Sequence, residues 1–316
     1  MLFAEKKLKS KAPSACAAHL DKGRSLVVKY LKKGGFAMQK KQKNELKKAF
    51  DAVRLRPREI FFYNCIDSTN EQARRYPEGV SSDERLTLDG RDGTSLFIAD
   101  SQTHGRGRLD RRFVSNAGAG LYMSIRFPFS GELADAVGIT PFASVAVCRA
   151  IESLSDAKPK IKWVNDVYLG GKKLAGILTE SIVGSDGKRY FICGIGINLV
   201  PSEMPSELAM IATNLESEGF FAPREHLAAK ICEEFLLGVE GAMKREILDE
   251  YRSRSFIIGS TVSVHGADGI YNARVLGIGD RYELVVSDEC GKEKRLSSGE
   301  VSLKLQPNVS QPDSAG

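Results

Sequence analysis

The chain has 316 residues, of which 42% are hydrophobic and 27% charged, so it is long enough for one large core or for two domains of ordinary size. This composition excludes a wholly disordered or fibrous protein. No stretch approaches the roughly 18 consecutive apolar residues that cross a bilayer, and no apolar signal segment follows the first charged residues. We therefore expect a cytoplasmic protein that does not bind a membrane.

The cysteines point to the same compartment. They lie far apart along the chain and form no C-x-x-C pair, and six are too few to staple 316 residues. We therefore expect reduced thiols at all six positions, which are Cys16, Cys65, Cys148, Cys193, Cys232 and Cys290.

The positive net charge of +6 is concentrated near the N-terminus. Residues 1–58 contain 17 Lys and Arg against 4 Asp and Glu, a net charge of +13, so the rest of the chain carries −7. The folded body is therefore mildly acidic, whereas a protein that follows DNA needs a basic stripe along its surface. The charge distribution predicts no DNA partner.

Residues 1–58 are predicted to be a basic N-terminal extension, whose residues 1–37 show no sustained hydrophobic period. Lys32-Lys33-Gly34-Gly35 stands shortly before Met38 and can be encoded by a purine-rich ribosome-binding sequence. We hypothesise that translation begins at Met38 and that residues 1–37 are absent in vivo; a flexible basic arm is the alternative. N-terminal sequencing of the native protein distinguishes the two, since a peptide from residues 1–37 would refute the later start.

Strands and helices interleave between residues 59 and 255, which predicts an α+β domain with a mixed sheet. Apolar runs of strand length occupy residues 60–63, 95–99, 120–127, 161–164, 174–180 and 190–197. Helical periodicity covers residues 38–55, 141–154, 223–237 and 244–251. The polar stretch 81–94 predicts a surface loop.

The pattern changes after residue 256 to short alternating strands separated by glycines. This predicts a small β-barrel over residues 256–305. Residues 306–316 are predicted to be a disordered tail.

An arginine-rich string is the most unusual feature of the sequence. Gly105-Arg106-Gly107-Arg108-Leu109-Asp110-Arg111-Arg112 places four arginines in eight residues between two predicted strands. Glycine lets backbone N–H groups approach phosphate oxygens, and guanidinium groups bind phosphate bidentately and stay charged at any working pH. The string therefore favours the binding of a polyanion, with a solvated basic loop as the alternative.

A second string predicts two strands around the turn Gly170-Gly171. Asn165 and Asp166 precede this turn and Lys173 follows it, so the hairpin brings the three side chains together. Asn165 and Asp166 offer oxygen atoms to Mg²⁺, and the Lys173 ammonium suits a phosphate. The alternatives are a turn cap for the aspartate and a solvated edge position for the lysine.

Two further strings carry polar side chains. Asp67-Ser68-Thr69-Asn70-Glu71, taken alone, is typical of a helix N-cap. Gly194-Ile195-Gly196-Ile197-Asn198 is the end of an apolar strand, from which Asn198 emerges. Neither string by itself indicates a chemistry.

Taken together, the order and spacing of the four strings resemble those of the biotin protein ligases, enzymes that adenylate biotin and pass it to a lysine. The resemblance runs from about Glu59 to Leu303. It implies the mixed-sheet fold of biotin ligases and class II aminoacyl-tRNA synthetases over residues 59–255, followed by an SH3-like β-barrel over 256–305. The winged-helix repressor domain of some members has no counterpart here, so the resemblance is to the single-function type.

The resemblance also implies roles for individual residues. The positions that match the biotin site are Ser68, Thr69, Asn70, Gln102, Arg106, Gly107, Arg108 and Lys173. Those that match the nucleotide site are Arg108, Arg111, Phe113, Asn165, Lys173 and Asn198. Asp166 and Asn198 match positions near the metal, and the expected catalytic residues are Lys173, Arg108 and Asp166.

The sequence departs from the family pattern at three positions: Asp110 replaces a glycine, Phe113 replaces a tryptophan and Val164 replaces a proline. A carboxylate in a loop that binds phosphate repels the anion unless Arg111 or Arg112 neutralises it. We therefore expect weaker retention of the adenylate and an unchanged reaction type. Phe113 still supplies an aromatic face.

The implied substrates are biotin, ATP with Mg²⁺, and a biotin carboxyl carrier protein domain whose lysine accepts the biotin. Adenylation rests on positioning and charge neutralisation and needs no protein nucleophile. One alternative is a lipoate (octanoate) protein ligase, which needs a longer apolar slot in place of Ser68 and Gln102. Another is a biotin-binding transcriptional repressor, for which residues 1–58 lack the pattern of a recognition helix. The sequence leaves a homodimer open.

A metal-dependent hydrolase is a third alternative. The four histidines are His19, His104, His226 and His265. Their positions show no metal-ligand spacing, which disfavours this function.

Overall fold

A computed structural model describes residues 40–77, 85–109, 111–129, 131–266, 269–297 and 299–303. The hypothesised start at Met38, the substituted position Asp110 and the predicted tail over 306–316 lie outside the described residues. An eight-stranded mixed sheet forms the body of the chain, and a five-stranded antiparallel sheet follows it. This confirms the predicted α+β class and the small C-terminal sheet.

Six α-helices are described: α1 (Lys40–Asp51), α2 (Thr69–Arg75), α3 (Ile139–Leu154), α4 (Ser206–Ile211), α5 (Arg224–Gly238) and α6 (Arg245–Arg254). The large sheet contains β1 (Pro57–Tyr63), β2 (Arg85–Thr87), β3 (Arg91–Ala99), β4 (Gly120–Pro128), β5 (Lys160–Lys162), β6 (Asp166–Leu169), β7 (Lys172–Val183) and β8 (Arg189–Asn198). The small sheet contains β9 (Thr261–Gly266), β10 (Gly269–Ile278), β11 (Leu284–Asp288), β12 (Glu293–Leu296) and β13 (Glu300–Leu303).

The strand order in the large sheet is β2-β1-β3-β4-β8-β7-β6-β5, in which β1 and β3 are parallel and the other neighbours antiparallel. β4 lies near the middle and is buried on both faces. Because side chains alternate along a strand, Met123 and Ile125 enter the main core with α3 and α5, while Ser124 points to the face that carries α2.

The helix predicted over 38–55 is α1, and it ends at Asp51, earlier than the proline signal suggested. Phe50 is fully buried in the main core. The backbone N–H of Arg54 donates to Glu233 Oε1 at 2.6 Å, so a side chain of α5 satisfies this N–H in place of a further helical turn. The described part of the predicted extension therefore packs onto the body of the chain.

The surface loop predicted over 81–94 is wrong for part of its length. Within it, β2 pairs antiparallel with β1, placing Glu59 opposite Thr87 and Phe61 opposite Arg85, and β3 begins at Arg91. β2 is polar because it lies at the edge of the sheet and pairs through backbone hydrogen bonds on one side only. A test for alternating apolar residues does not detect such a strand.

The small sheet shares one continuous apolar core with the large one. Trp163 Nε1, just after β5, donates to the Tyr282 carbonyl oxygen at 2.8 Å, and the Tyr282 hydroxyl donates to the Ala242 carbonyl oxygen at 2.5 Å. The rings of Tyr251 and Tyr282 meet edge to face at 5.3 Å between centroids. These contacts fix the small sheet against the strands that carry the site.

The thiol prediction holds at four cysteines and fails at one. Cys148, Cys193, Cys232 and Cys290 are free thiols, whereas Cys65 is disulfide-bonded. Separation along the chain does not prevent two cysteines from meeting in space. Cys16 lies outside the described residues.

Among the described residues, one helical stretch, Leu133–Leu154, is long and apolar enough by composition to cross a membrane. It contains α3, and 67% of an apolar 18-residue segment within it is buried inside the fold. Its apolar character is that of a core helix.

Candidate functional site

Nearly all of the predicted site residues line one cavity. It lies between α2, the β6–β7 hairpin, β8 and residues 105–109 and 111–113, called here the arginine loop. Twelve of the thirteen predicted residues line it, and Asn198 is the exception. Four strings that are far apart in sequence therefore meet at one place.

The start of α2 forms one wall of the cavity. Ser68 is the N-cap residue, yet its hydroxyl makes no capping hydrogen bond. Its backbone N–H donates to Asp67 Oδ1 at 2.7 Å, and Arg75 binds both carboxylate oxygens of Asp67 at 2.8 Å. Burial raises the pKa of Asp67, but the hydrogen bonds from Arg75 and the Ser68 N–H outweigh it and hold the pKa below its ordinary value of 3.8.

A chain of hydrogen bonds fixes the polar side chains of this wall. Gln102 Oε1 accepts from the Thr69 N–H at 2.8 Å, and Gln102 Nε2 donates to Ser115 Oγ at 2.8 Å. The buried Ser124 hydroxyl lies 2.7 Å from Thr69 Oγ1 and 2.6 Å from Asn70 Oδ1. Ser68, Thr69, Asn70 and Gln102 are called here the polar wall. It is a rigid, polar surface suited to a neutral amide-like group.

Glycines on β7 and β8 create the space opposite this wall. A Cβ on Gly194 would lie 2.0 Å from Asn70 Oδ1, and one on Gly196 would lie 2.7 Å from the Phe113 ring. Gly176 also faces Phe113, at 3.6 Å from a Cβ added there. The alternation of glycine in the string 194–198 thus leaves the sheet bare where Asn70 and Phe113 rest on it.

The arginine loop is folded back on itself as a short hairpin. Phe113 N donates to the Gly105 carbonyl oxygen at 2.9 Å, and Gly107 N donates to the Arg111 carbonyl oxygen at 2.7 Å. Arg108 donates to Asn165 Oδ1 at 3.1 Å and to the carbonyl oxygen of Gly299, which directly precedes β13, at 3.2 Å. The loop therefore spans the cavity from α2 to the C-terminal sheet.

The β6–β7 hairpin has the predicted turn, since Gly170 and Gly171 have φ of 56° and 79°. Lys173 Nζ lies 2.6 Å from Asp166 Oδ1. Asn165 Nδ2 donates to the Ile177 carbonyl oxygen at 2.8 Å. The hairpin thus brings a cation, a carboxylate and an amide to one mouth of the cavity.

Asn198 is held beside the cavity without lining it. Its Nδ2 donates to the Thr213 carbonyl oxygen at 3.0 Å, and the Thr213 N–H donates to the Lys173 carbonyl oxygen at 2.9 Å. In the part of the chain that is described, no group of three or more His, Cys, Asp and Glu gathers at a metal-sized site. A divalent ion here would be held by Asp166 together with ligands that the substrate brings.

Several known proteins are similar to this chain. Residues 63–198 match the Biotin/lipoate A/B protein ligase family. The Bifunctional ligase/repressor BirA of Bacillus subtilis (strain 168) is 30% identical over 253 residues, which are 77% of this chain and 74% of that protein. The chain belongs to the biotin/lipoate A/B protein ligase family.

Other members support this assignment. The Biotin--[acetyl-CoA-carboxylase] ligase of Mycobacterium tuberculosis is 33% identical over 220 residues, which are 65% of this chain and 77% of that protein. The structure of biotin protein ligase from Aquifex aeolicus in complex with biotin and ATP is similar with a TM-score of 0.62 at 27% identity. That similarity covers 78% of this chain and 99% of the other.

Two of the three departures from the family pattern, Phe113 and Val164, lie among the described residues. Phe113 lies against Gly196 and meets Tyr122 edge to face at 6.2 Å between centroids. Val164 follows a cis peptide bond, and its carbonyl oxygen accepts from the Tyr251 hydroxyl at 3.2 Å.

Several residues in and around the cavity are not found by motif reasoning. Ser124 and Glu180 hold the polar wall from behind, α4 contributes Leu208 and Ile211, and the small sheet contributes Gly299 and Val301. Glu180 had a detectable signal, since it follows Leu178 at the strand period of two and so shares its face. The contributions of α4 and of the small sheet depend on tertiary packing.

Proposed function

We propose that the protein is a biotin protein ligase that adenylates biotin with ATP and transfers it to a lysine of a biotin carboxyl carrier protein domain. The observation that carries the proposal is that the polar wall around Thr69 and Gln102, the arginine loop and Lys173 all line one cavity. A neutral ring held by the wall would extend its carboxylate toward Lys173. The Lys173 ammonium would then also lie close to a phosphate bound beneath the arginine loop.

In the first step, a carboxylate oxygen of biotin attacks the α-phosphorus of ATP, the bond from that phosphorus to the bridging oxygen breaks, and pyrophosphate leaves. Lys173 and Arg108 neutralise the charge on the reacting groups, which is the main contribution a protein makes to such a step. Mg²⁺ supplies further neutralisation of the phosphates when bound, with Asp166 as its protein ligand. Arg111, Phe113 and Asn165 line the nucleotide side, and Asn198 steadies the segment behind Lys173.

In the second step, the amine of the acceptor lysine attacks the carbonyl carbon of the mixed anhydride, and AMP leaves as the amide forms. Asp166 takes the proton that the amine loses. No protein nucleophile is required. The buried Cys193 thiol does not compete for the anhydride, because burial raises its pKa to about 12.

Both predicted parts of the chain contribute to the pocket. Residues 59–255 hold the pocket, and residues 256–305 supply Gly299 and Val301 to its rim. The cytoplasm, which supplies ATP and apo-carrier proteins, is the proposed compartment.

Mass spectrometry of a purified biotin carboxyl carrier domain tests the proposal. After incubation with the protein, biotin and MgATP, the carrier is expected to gain the mass of one biotin less one water, and a carrier whose acceptor lysine is changed to arginine is expected to gain nothing. Transfer of lipoate in place of biotin would refute the biotin assignment and leave the family assignment standing.

A further inference from the structure

The carboxylate of Glu180 on β7 is shared between the polar wall and the arginine loop. Its Oε2 accepts from Asn70 Nδ2 at 2.9 Å, and its Oε1 lies 2.8 Å from Arg74 Nη2 and 3.2 Å from Arg106 Nη2. The side chain is only 17% exposed. One group therefore contacts a pocket residue, the helix α2 and the loop that covers the pocket.

Its effect on the pocket follows from hydrogen-bond chemistry. An ionised carboxylate only accepts, so it turns the NH₂ of Asn70 toward itself and the Asn70 carbonyl oxygen toward Ser124. The Ser124 hydroxyl then donates to the Asn70 carbonyl oxygen at 2.6 Å. Glu180 thus fixes the orientation of the Asn70 amide in the wall.

Its effect on the loop follows from charge. Arg106 also forms an ion pair with Glu71, and Arg74 lies 3.7 Å from the same Glu71 carboxylate. The two arginines and two glutamates form a group with no net charge. The Arg106 guanidinium is therefore tethered to α2 and β7, and the loop is held over the cavity.

We propose that Glu180 is a positioning residue that couples the order of the biotin pocket to the closure of the arginine loop. The inference rests on the proposed function. The Glu180 side chain forms no hydrogen bond or ion pair with Lys173, which pairs with Asp166, and Arg108 is held by Asn165 and the Gly299 carbonyl oxygen. Loss of the Glu180 charge should therefore affect biotin and the bound adenylate and leave the use of ATP unchanged.

Glu180→Gln keeps the shape of the side chain and removes its charge. Because hydrogen bonds to charged groups are the strong class, we expect the KM for biotin to rise by about tenfold or more and the enzyme-bound adenylate to dissociate about tenfold faster. The KM for ATP should stay within about twofold, whereas a general structural defect would change both KM values. The adenylate lifetime is measured by chasing preformed labelled intermediate with unlabelled biotin.

Glu59→Gln is the matched control. Glu59 lies in the same row of the sheet as Glu180, and the residues between them on neighbouring strands are Ser95, Arg126 and Ile192. Its side chain is 16% exposed and forms an ion pair with Arg85. It contacts neither Asn70 nor the arginine loop. Its biotin KM and adenylate lifetime should equal those of the unmodified protein.

Glu71→Gln tests the effect on the arginine loop separately from the effect on the biotin pocket. It also tests the inference if Glu180→Gln does not fold. It removes one anchor of Arg106 without touching Asn70, so it should shorten the adenylate lifetime and leave the biotin KM unchanged. A normal lifetime in Glu71→Gln, or normal values in a folded Glu180→Gln, overturns the inference. Absence of biotin-dependent pyrophosphate release by the unmodified protein would instead refute the proposed function, so the two failures are distinguishable.

Discussion

Lys173 Nζ and Asp166 Oδ1 lie 2.6 Å apart across the base of the β6–β7 hairpin. Their side chains are 33% and 20% exposed, so the pair is reached by solvent and by a ligand alike. A phosphate and a carboxylate entering the cavity would compete with Asp166 for the same ammonium. The aspartate therefore holds the lysine in position before substrates arrive.

Replacing Lys173 by alanine should remove most of the adenylation activity. A preorganised cation at a developing charge commonly contributes roughly 10²- to 10³-fold in rate, and we expect a loss of this size in kcat/KM for pyrophosphate release. Lys172→Ala is the control, because Lys172 is exposed and does not line the cavity. Equal loss in both variants, or in neither, would contradict the role given to Lys173.

Gly194→Ala tests the close contact between the sheet and α2. The added Cβ would lie 2.0 Å from Asn70 Oδ1, so the amide must move away from its place in the polar wall. We expect biotin affinity, measured by calorimetry, to fall at least about tenfold, with a loss of about 1–3 kcal/mol in unfolding free energy. Gly277→Ala in β10, where no atom lies within 4 Å of the new Cβ, should bind biotin normally. Normal affinity in Gly194→Ala would show that Asn70 does not contribute to the pocket.

Asp67 links the stability of the site to acid pH. Its pKa is lower in the folded protein than the ordinary 3.8, so its stabilising effect is fully present above that pH and is lost as the pH falls through the folded value. Asp67→Asn should therefore be less stable than the unmodified protein near neutral pH, and the difference should vanish in strong acid. Urea unfolding at several pH values measures it; a difference that persists at the acid end would contradict this reasoning.

Trp163 is the only tryptophan, is almost fully buried and lines the cavity. Its emission should change when biotin and ATP bind, because the ligands alter the polarity beside the indole ring. Titration followed by fluorescence should give the same Kd as calorimetry. Calorimetric binding without any change in emission would place the ligands away from Trp163.

Much of the fold is predictable from the sequence because its signals are local. The Gly170-Gly171 turn fixes the hairpin, and apolar runs identify central strands such as β4. The edge strand β2 escaped prediction because a strand with one free side needs no apolar alternation. The disulfide at Cys65 escaped because spacing along the chain does not determine spacing in the fold.

The site is predictable where a side chain belongs to a recognisable string and not where it acts through neighbours. Ser68, Arg108 and Lys173 belong to such strings and share the cavity. Glu180 touches the cavity only through other side chains, and Gly299 reaches it from a separate sheet. The strand period places Glu180 on the face of Leu178, but its contacts with Asn70 and Arg106, like the approach of Gly299, depend on tertiary packing, which no local pattern contains.

The most direct test of the whole account is pyrophosphate release from MgATP measured with biotin, with lipoate and with neither acid. The account predicts release that depends on biotin and falls roughly 10²- to 10³-fold in Lys173→Ala. Release that depends on lipoate would keep the fold and family but contradict the polar wall around Ser68 and Gln102 as a biotin site. No release with either acid would contradict the proposed activity itself.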